Sequence, residues 1–301
     1  MSAPLFRWVV AEPLSLTQLL EQHGLLSALR DGRVFVDDKR GAAELSLSAG
    51  AVVEVFAPRP RVSIQILSEG DDVFAVHKPA SLPTEPDRGG ADCVLSQLGK
   101  ELRVEPSGLF AISRLDVGVS GVLLVTLGSR SRERLLQERA EGRLQRRYIA
   151  LSNGVPEPPE GDWHDALSGA GQGRRKIGGV EAQAAHSRYR VVGSATPSVP
   201  QGARTALLAL SPQTGRTHQL RVHAAAHAAP LLGDRKYGGP ARMTGADGSV
   251  LAFSQILLHA AWVEWGTEKA RKRAASEPVA ALVSAWLALG GELSDIQRAL
   301  D

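Results

Sequence analysis

The spacing of apolar residues changes period along the chain and predicts a small unit followed by a larger one. Residues 15–32, SLTQLLEQHGLLSALRDG, place apolar side chains at helical spacing and stop at Gly32, which can close a helix. RVFVDD (33–38) and, past the turn at Lys39–Gly41, AELSLSAGAVVEVFAP (43–58) alternate as short strands do. Pro58 and Pro60 in APRPRV (57–62) hold the chain extended and discourage pairing, so a linker and domain boundary are expected near Pro60.

Beyond it strands and helices mix. Val73–Val76 reads as a strand running into a proline-rich loop. FAISRLD (110–116) and GVLLVTLG (121–128) read as strand, loop and strand. SRSRERLLQERAEG (129–142) is a polar helix with Leu135, Leu136 and Ala140 as its sparse apolar stripe. RRYIALSNG (146–154) is a strand closed by a turn, and the prolines and glycines of 154–180 indicate a long loop. HSRYRVV (186–192), TALLALSP (205–212) and ILLHAAWVEW (256–265) are further strands. THQLRVHAAAH (217–227) is a helix with Thr217 as expected N-cap, and EPVAALVSAWLALGG (277–291) is the final helix.

Composition narrows the class. The apolar fraction of 43% in 301 residues supports a real core. Net charge is only +3, but basic residues concentrate at 130–147, Arg174–Lys176 and Lys269–Arg273, which permits a nucleic-acid partner. The single cysteine, Cys93, excludes an intrachain disulfide framework and a cysteine-based zinc site, and it fits a reducing compartment. The first residues carry no signal-peptide pattern, and no run approaches the ~18 apolar residues of a membrane helix. A soluble cytoplasmic protein without a membrane partner is expected.

Two segments then draw attention. In SRLDVGVSG (113–121) Asp116 lies among apolar residues, where a charge is costly unless paired. Arg114 is too near in sequence to be its partner, and Gly118 and Gly121 point to a turn or close backbone approach. An isolated aspartate beside glycines is more often a turn cap. In 211–239, Arg216, His218, Gln219 and Arg221 gather at a helix start, where backbone N–H groups favour an anion such as phosphate. Arg221 could pair bidentately with a buried carboxylate. His223 and His227 share a helical face but lack an HExxH pattern, so no metal is expected. Tyr148 on its own reads as core, and Lys78 as a solvated lysine.

Read together, these segments resemble the RluA-type family of pseudouridine synthases. HKPASLPTEP (77–86), SRLDVGVSG, RRYIALSNG, TGRTHQLRVHAAAHAAPLLGDRKYGG (214–239) and LLHAAW (257–262) match that family's motifs in order, over about residues 62–290. The resemblance implies catalytic roles for Asp116, for Tyr148, which packs under the target base, and for Arg221, which pairs with the aspartate. It makes His218 and Gln219, with Arg114, Arg216 and Lys78, substrate-binding candidates. The implied reaction detaches uracil from ribose and rejoins it through carbon, without cofactor or metal. Departures lie beside the aspartate: Ser113 replaces the family histidine and Val119 its threonine. Ser81 replaces a glycine of the opening loop. The His-Pro expected after the LHA strand is absent.

Residues 13–57 loosely resemble the alpha-L type RNA-binding domain, through DGRVFVDDKR and LSAGAVVEVF, with Asp37–Asp38 at its turn. The expected protein is thus α+β. A small alpha-L-like domain (1–60) precedes a catalytic domain (61–301) with a mixed, mostly antiparallel central sheet, flanking helices and a central RNA-binding cleft. It is expected to isomerise uridines in ribosomal RNA or tRNA, as a monomer. The substitutions at Ser113 and Val119 motivate the competing reading, a non-catalytic RNA-binding or ribosome-assembly protein that retains the fold.

Overall fold

A computed structural model describes residues 4–57, 64–87, 92–171, 173–195 and 204–301. The expected boundary at Pro60 lies outside the described residues. The chain divides into two compact units, one of residues up to 64 together with 81–107, the other of 65–80 and 108–301. Segment 81–107 thus groups with the N-terminal residues, whereas the sequence placed all of 61–301 in the second domain.

In the smaller unit, β1 (Phe6–Val9), β2 (Val34–Val36), β3 (Lys39–Arg40) and β4 (Val52–Val55) form an antiparallel sheet in the order β1-β4-β2-β3. Asp37 and Asp38 both take positive φ, the geometry of a tight hairpin turn between β2 and β3. The single helix expected over 15–32 is two, α1 (Leu16–Gln22) and α2 (Leu26–Arg30). The break falls at Gly24, whose φ of +67° ends the first helix. Leu16, Leu20, Ala28, Val34, Val53 and Val55 form this unit's core. A third helix, α3 (Val94–Leu102), starts at Cys93, whose sulfur accepts from the Ser96 N–H.

The larger unit is built on a ten-stranded sheet. Its strands are β5 (Gln65–Gly70), β6 (Val73–Lys78), β7 (Leu109–Ala111), β8 (Ser120–Leu127), β9 (Gln145–Asn153), β10 (Glu160–Trp163), β13 (Ser187–Ala195), β14 (Thr205–Pro212), β15 (Leu258–Thr267) and β16 (Ala270–Ala275). A separate hairpin, β11 (Leu167–Gly169) and β12 (Arg175–Ile177), lies in the 154–180 segment. That segment was expected to be loop, because strands of three or four residues between prolines are too short to show a period. The sheet order is β10-β13-β14-β9-β15-β8-β6-β5, with β7 beside β8 and β16 beside β15. Every pairing is antiparallel except that of β8 with β15.

The apolar run of β8 is buried on both faces, as a central strand requires. Helix α4 (Ser129–Ala140) packs Leu135 into the cluster of Val73, Ala75, Val122 and Leu124. Its buried stripe is Ser131, Leu135 and Glu138; Leu136 and Ala140 are exposed, contrary to the expected stripe. Glu138 is held inside because its carboxylate accepts from the Gly266 N–H at 2.7 Å. Elsewhere Ile149, Leu151, Leu207 and Trp262 pack against α6 (Ala280–Ala288) and α7 (Leu293–Leu300). The sequence reading ended at α6. It missed α7, which the Glu292–Asp295 capping box starts only after Gly290–Gly291. No helix among the described residues is long and apolar enough to cross a membrane.

Candidate functional site

Register across the sheet brings the sequence motifs together. Lys78 pairs with Gly121, Gly121 with Ala260, and Ala260 with Tyr148, so the HKP, GVSG, LHA and RRY motifs meet in one row. The row closes only because position 121 lacks a side chain. A Cβ there would lie 2.2 Å from the Ala260 carbonyl oxygen, and φ is +116°. Tyr148 is buried, and burial raises its hydroxyl pKa, with the Asp116 charge adding to the rise and Arg146 opposing it. Ser113, Arg146 and Tyr148 line one small cavity together with Ile112, Val122 and Ala260.

Asp116 sits in the turn between β7 and β8, where the Val119 N–H donates to its carbonyl at 3.0 Å. Its side chain remains 24% exposed while that of Arg221 is 7% exposed. Arg221 comes from α5 (Gln219–Ala226) and donates through Nη1 to Asp116 Oδ2 at 2.7 Å. The pairing anticipated from sequence therefore exists, but the bidentate partner is a different carboxylate. Arg221 Nε and Nη2 donate to the two oxygens of Asp234 at 2.6 and 2.7 Å. Burial of the guanidinium works against its charge, yet Asp234 and Asp116 outweigh that and hold its pKa above the ordinary arginine value.

His218 completes the group. Its Nε2 lies 3.8 Å from Asp116 Oδ1, and its Nδ1 lies 2.6 Å from the Tyr237 hydroxyl. The Tyr237 oxygen already accepts the Arg175 N–H at 2.9 Å. Two arrangements satisfy the Nδ1 contact: the hydroxyl donates to Nδ1, which leaves the His218 proton on Nε2 facing Asp116, or Nδ1–H donates to the hydroxyl. Burial pushes the His218 pKa down to about 4; Asp116 opposes the shift, while Arg221 and Lys236 reinforce it. The ring is neutral at pH 7.

Helix α5 begins at Gln219, not after Thr217. The N-cap is His218 in the left-handed conformation, φ 59°, with no side-chain cap. The Thr214–His218 loop is held both by the Gln219 side chain and by tertiary bonds, and Thr217 falls outside the cap position. Arg146 Nη2 donates to the Thr214 carbonyl at 2.8 Å, and Arg139, from α4, crowds Gly215 so closely that a Cβ would meet Nη2 at 1.9 Å. Gln219 is buried with its amide saturated. Its oxygen accepts from Thr214 Oγ1 and the Arg216 N–H, and its nitrogen donates to the His186 carbonyl and Ser187 Oγ. Arg216 is exposed, with Nε donating to the Ala184 carbonyl at 3.0 Å. Arg114 is exposed as well. Lys78 is fully buried, not solvated, and its Nζ donates to the Pro79 carbonyl at 2.9 Å.

Three groups of this site escaped the sequence reading. Asp234, Tyr237 and Arg146 stand inside quoted motifs, yet no spacing rule links them to Asp116, which lies 118, 121 and 30 residues away in the chain. For metal, the fold brings Asp165 to His227 (2.7 Å) and to His223, which uses both ring nitrogens on the Asp165 carbonyl and Ser187. Asp162, His164 and His186 offer donor atoms within 4.8 Å of one another. Arg188 Nε lies 3.5 Å from the Asp162 oxygen that also meets His186, so a cation there would have to displace it.

The family model for RNA pseudouridylate synthase matches residues 72–226. The dual-specificity RNA pseudouridine synthase RluA of Escherichia coli K12 is 30% identical over 218 residues, covering 69% of this chain and 89% of that protein. The chloroplastic RNA pseudouridine synthase 2 of Arabidopsis thaliana is 35% identical over 139 residues, 44% of this chain and 31% of its own length. Among solved structures, human RNA pseudouridylate synthase domain containing 1 superposes with a TM-score of 0.58 at 22% identity, covering 79% of this chain and 94% of that one. Matched by the family model across about half its length, and by a bacterial relative across most of that relative's length, the chain belongs to the RNA pseudouridylate synthase family of isomerases.

Proposed function

We propose that this protein converts specific uridines of structured RNA, ribosomal RNA or tRNA, to pseudouridine, with Asp116 as the group that acts on the sugar. The observation that carries the reading is the 2.7 Å contact of Arg221 Nη1 with a carboxylate that is still a quarter exposed. One oxygen is held by a buried cation, and the other lies 3.8 Å from His218 Nε2 on a side chain that solvent still reaches.

The reaction is an isomerisation. The bond from N1 to C1′ breaks, a bond from C5 to C1′ forms, C5 gives up its proton and N1 gains one. No electrons are exchanged, so the chemistry needs charge and orientation rather than a cofactor. A carboxylate beside the sugar serves as nucleophile or base, and Arg221 compensates its charge in a site with little water. The target base must leave its stack, and the apolar surroundings of Tyr148 suit a detached uracil. Tyr148 keeps its proton at neutral pH because burial raises its pKa, which suits a packing surface and proton donor. Exposed Arg114 and Arg216 suit RNA phosphates, whereas buried Gln219 and Lys78 suit bracing of the site.

In this reading the enzyme works in the cytoplasm as a monomer, and the smaller unit adds modest RNA affinity. The test is pseudouridine mapping of cellular RNA with and without the gene. Loss of one or more sites, restored by wild type but not by Asp116→Ala, is the expected result. An unchanged map would favour a non-catalytic RNA-binding protein.

A further inference from the structure

One short turn reaches the Asp116 site twice. Arg235–Tyr237 forms a single 3₁₀ turn, with Asp234 before it and Gly238 in the left-handed conformation after it. From the first position, Asp234 is 1% exposed and takes Arg221 Nε and Nη2. A planar guanidinium held by those two nitrogens has one remaining direction, and Nη1 points along it to Asp116. From the last position, the Tyr237 ring lies 5.0 Å from the Arg221 guanidinium carbon, and its hydroxyl lies 2.6 Å from His218 Nδ1.

The turn is itself seated where only backbone fits. A Cβ at Gly233 would lie 1.9 Å from the Gln255 carbonyl oxygen, and one at Gly239 would lie 1.8 Å from that of Leu231. His218 is held at φ 59°, a strained conformation for a non-glycine residue and one that gathers at functional sites.

We infer that the Asp234–Tyr237 turn is the positioning device of this site. Asp234 selects which Arg221 nitrogen serves Asp116, and Tyr237 fixes the His218 tautomer so that its Nε2–H faces the Asp116 carboxylate. Neither residue touches the reacting atoms; both act through others. The inference rests on the reading of Asp116 as the reacting group. It adds that His218 is the second donor presented to that carboxylate, or to the nucleotide oxygen that replaces the 3.8 Å gap.

Tyr237→Phe is the informative variant because it removes one oxygen and keeps the ring against Arg221. On in-vitro-transcribed, unmodified ribosomal RNA of the source organism, kcat should fall about tenfold or more while KM stays within about twofold, since the loss is one of orientation. Melting temperature should stay close to wild type. In nitrogen-15 spectra His218 of the wild type should show a proton on Nε2 only, and in Tyr237→Phe a mixture of both tautomers. Asp234→Asn should lower kcat further, with partial recovery in Asp234→Glu. An active wild type with an equally active Tyr237→Phe overturns the inference alone, as does a wild-type His218 protonated on Nδ1. A wild type inert on unmodified ribosomal RNA and on unmodified tRNA of the source organism overturns the reading of Asp116 and this inference with it.

Discussion

His218 and His259 are built alike and end differently. Burial pushes each pKa down to about 4, so both are neutral at pH 7. Each ring has a polar group at both nitrogens. His259 Nε2 donates to the Ser276 carbonyl at 3.1 Å, so Nδ1 accepts from the Ser120 hydroxyl at 2.9 Å. His218 Nδ1 lies 2.6 Å from the Tyr237 hydroxyl, and its Nε2 faces Asp116 at 3.8 Å, too far for a hydrogen bond. The His259 circuit closes on backbone inside the sheet. The His218 circuit opens onto a partly exposed carboxylate already bound by Arg221. A perturbed histidine therefore does not by itself mark a site. What marks it is a donor left facing a charge that solvent and substrate can reach.

The open circuit should break most severely. Arg221→Ala leaves Asp234 buried without its cation, which costs about 3–5 kcal/mol of stability. It also removes the counter-charge at Asp116, and turnover per folded molecule should fall at least about a hundredfold. Urea unfolding and steady-state kinetics on the same preparation check both parts. A stable, active variant would mean that the Arg221 network does not organise the site.

The closed circuit should show itself in stability. For His259 the folded pKa lies below the unfolded value. As pH falls, the unfolded chain takes up the proton first, and stability is lost between pH 6.5 and about 4. The full loss is on the order of 3 kcal/mol for this histidine, with His218 acting in the same direction. His259→Asn should flatten the dependence of the urea midpoint on pH across that window while turnover per folded molecule is retained. An unaltered slope would show that His259 titrates normally in the fold.

The smallest effect separates bracing from recognition. Gln219→Ala should cost about 1–3 kcal/mol by orphaning buried partners. The salt dependence of RNA binding should stay as in wild type, whereas Arg216→Ala should reduce it. Weaker RNA binding by folded Gln219→Ala, at any salt concentration, would place that residue against RNA after all.

Much of this site was legible in the sequence because its motifs are local. Asp116 among apolar residues called for a distant cation, and Arg221 at a helix start was a sound candidate. The small residues at 118 and 121 signalled a turn and a close approach, and Gly121 indeed lies against the Ala260 backbone. What stayed hidden depends on side chains meeting across the fold. Asp234 takes two of the Arg221 nitrogens, Tyr237 orients His218, and Gln219 spends its amide inside the protein. Spacing along a chain reports faces of helices and strands, not which polar groups those faces bring together. The helix break at Gly24 is a local glycine turn inside an apolar pattern that runs on through it, whereas α5 starts at Gln219 because His218 occupies the N-cap position without a side-chain cap.

The central claim is that Asp116 acts on the sugar while Arg221 and His218 serve it. Tritium release from RNA labelled at C5 of uridine tests this most directly, because the C5 proton leaves only when the base is rejoined through carbon. Asp116→Asn is nearly isosteric and should fold as wild type. The account predicts release by wild type and a loss of at least about a thousandfold in the variant. A folded Asp116→Asn protein releasing tritium at the wild-type rate would contradict it.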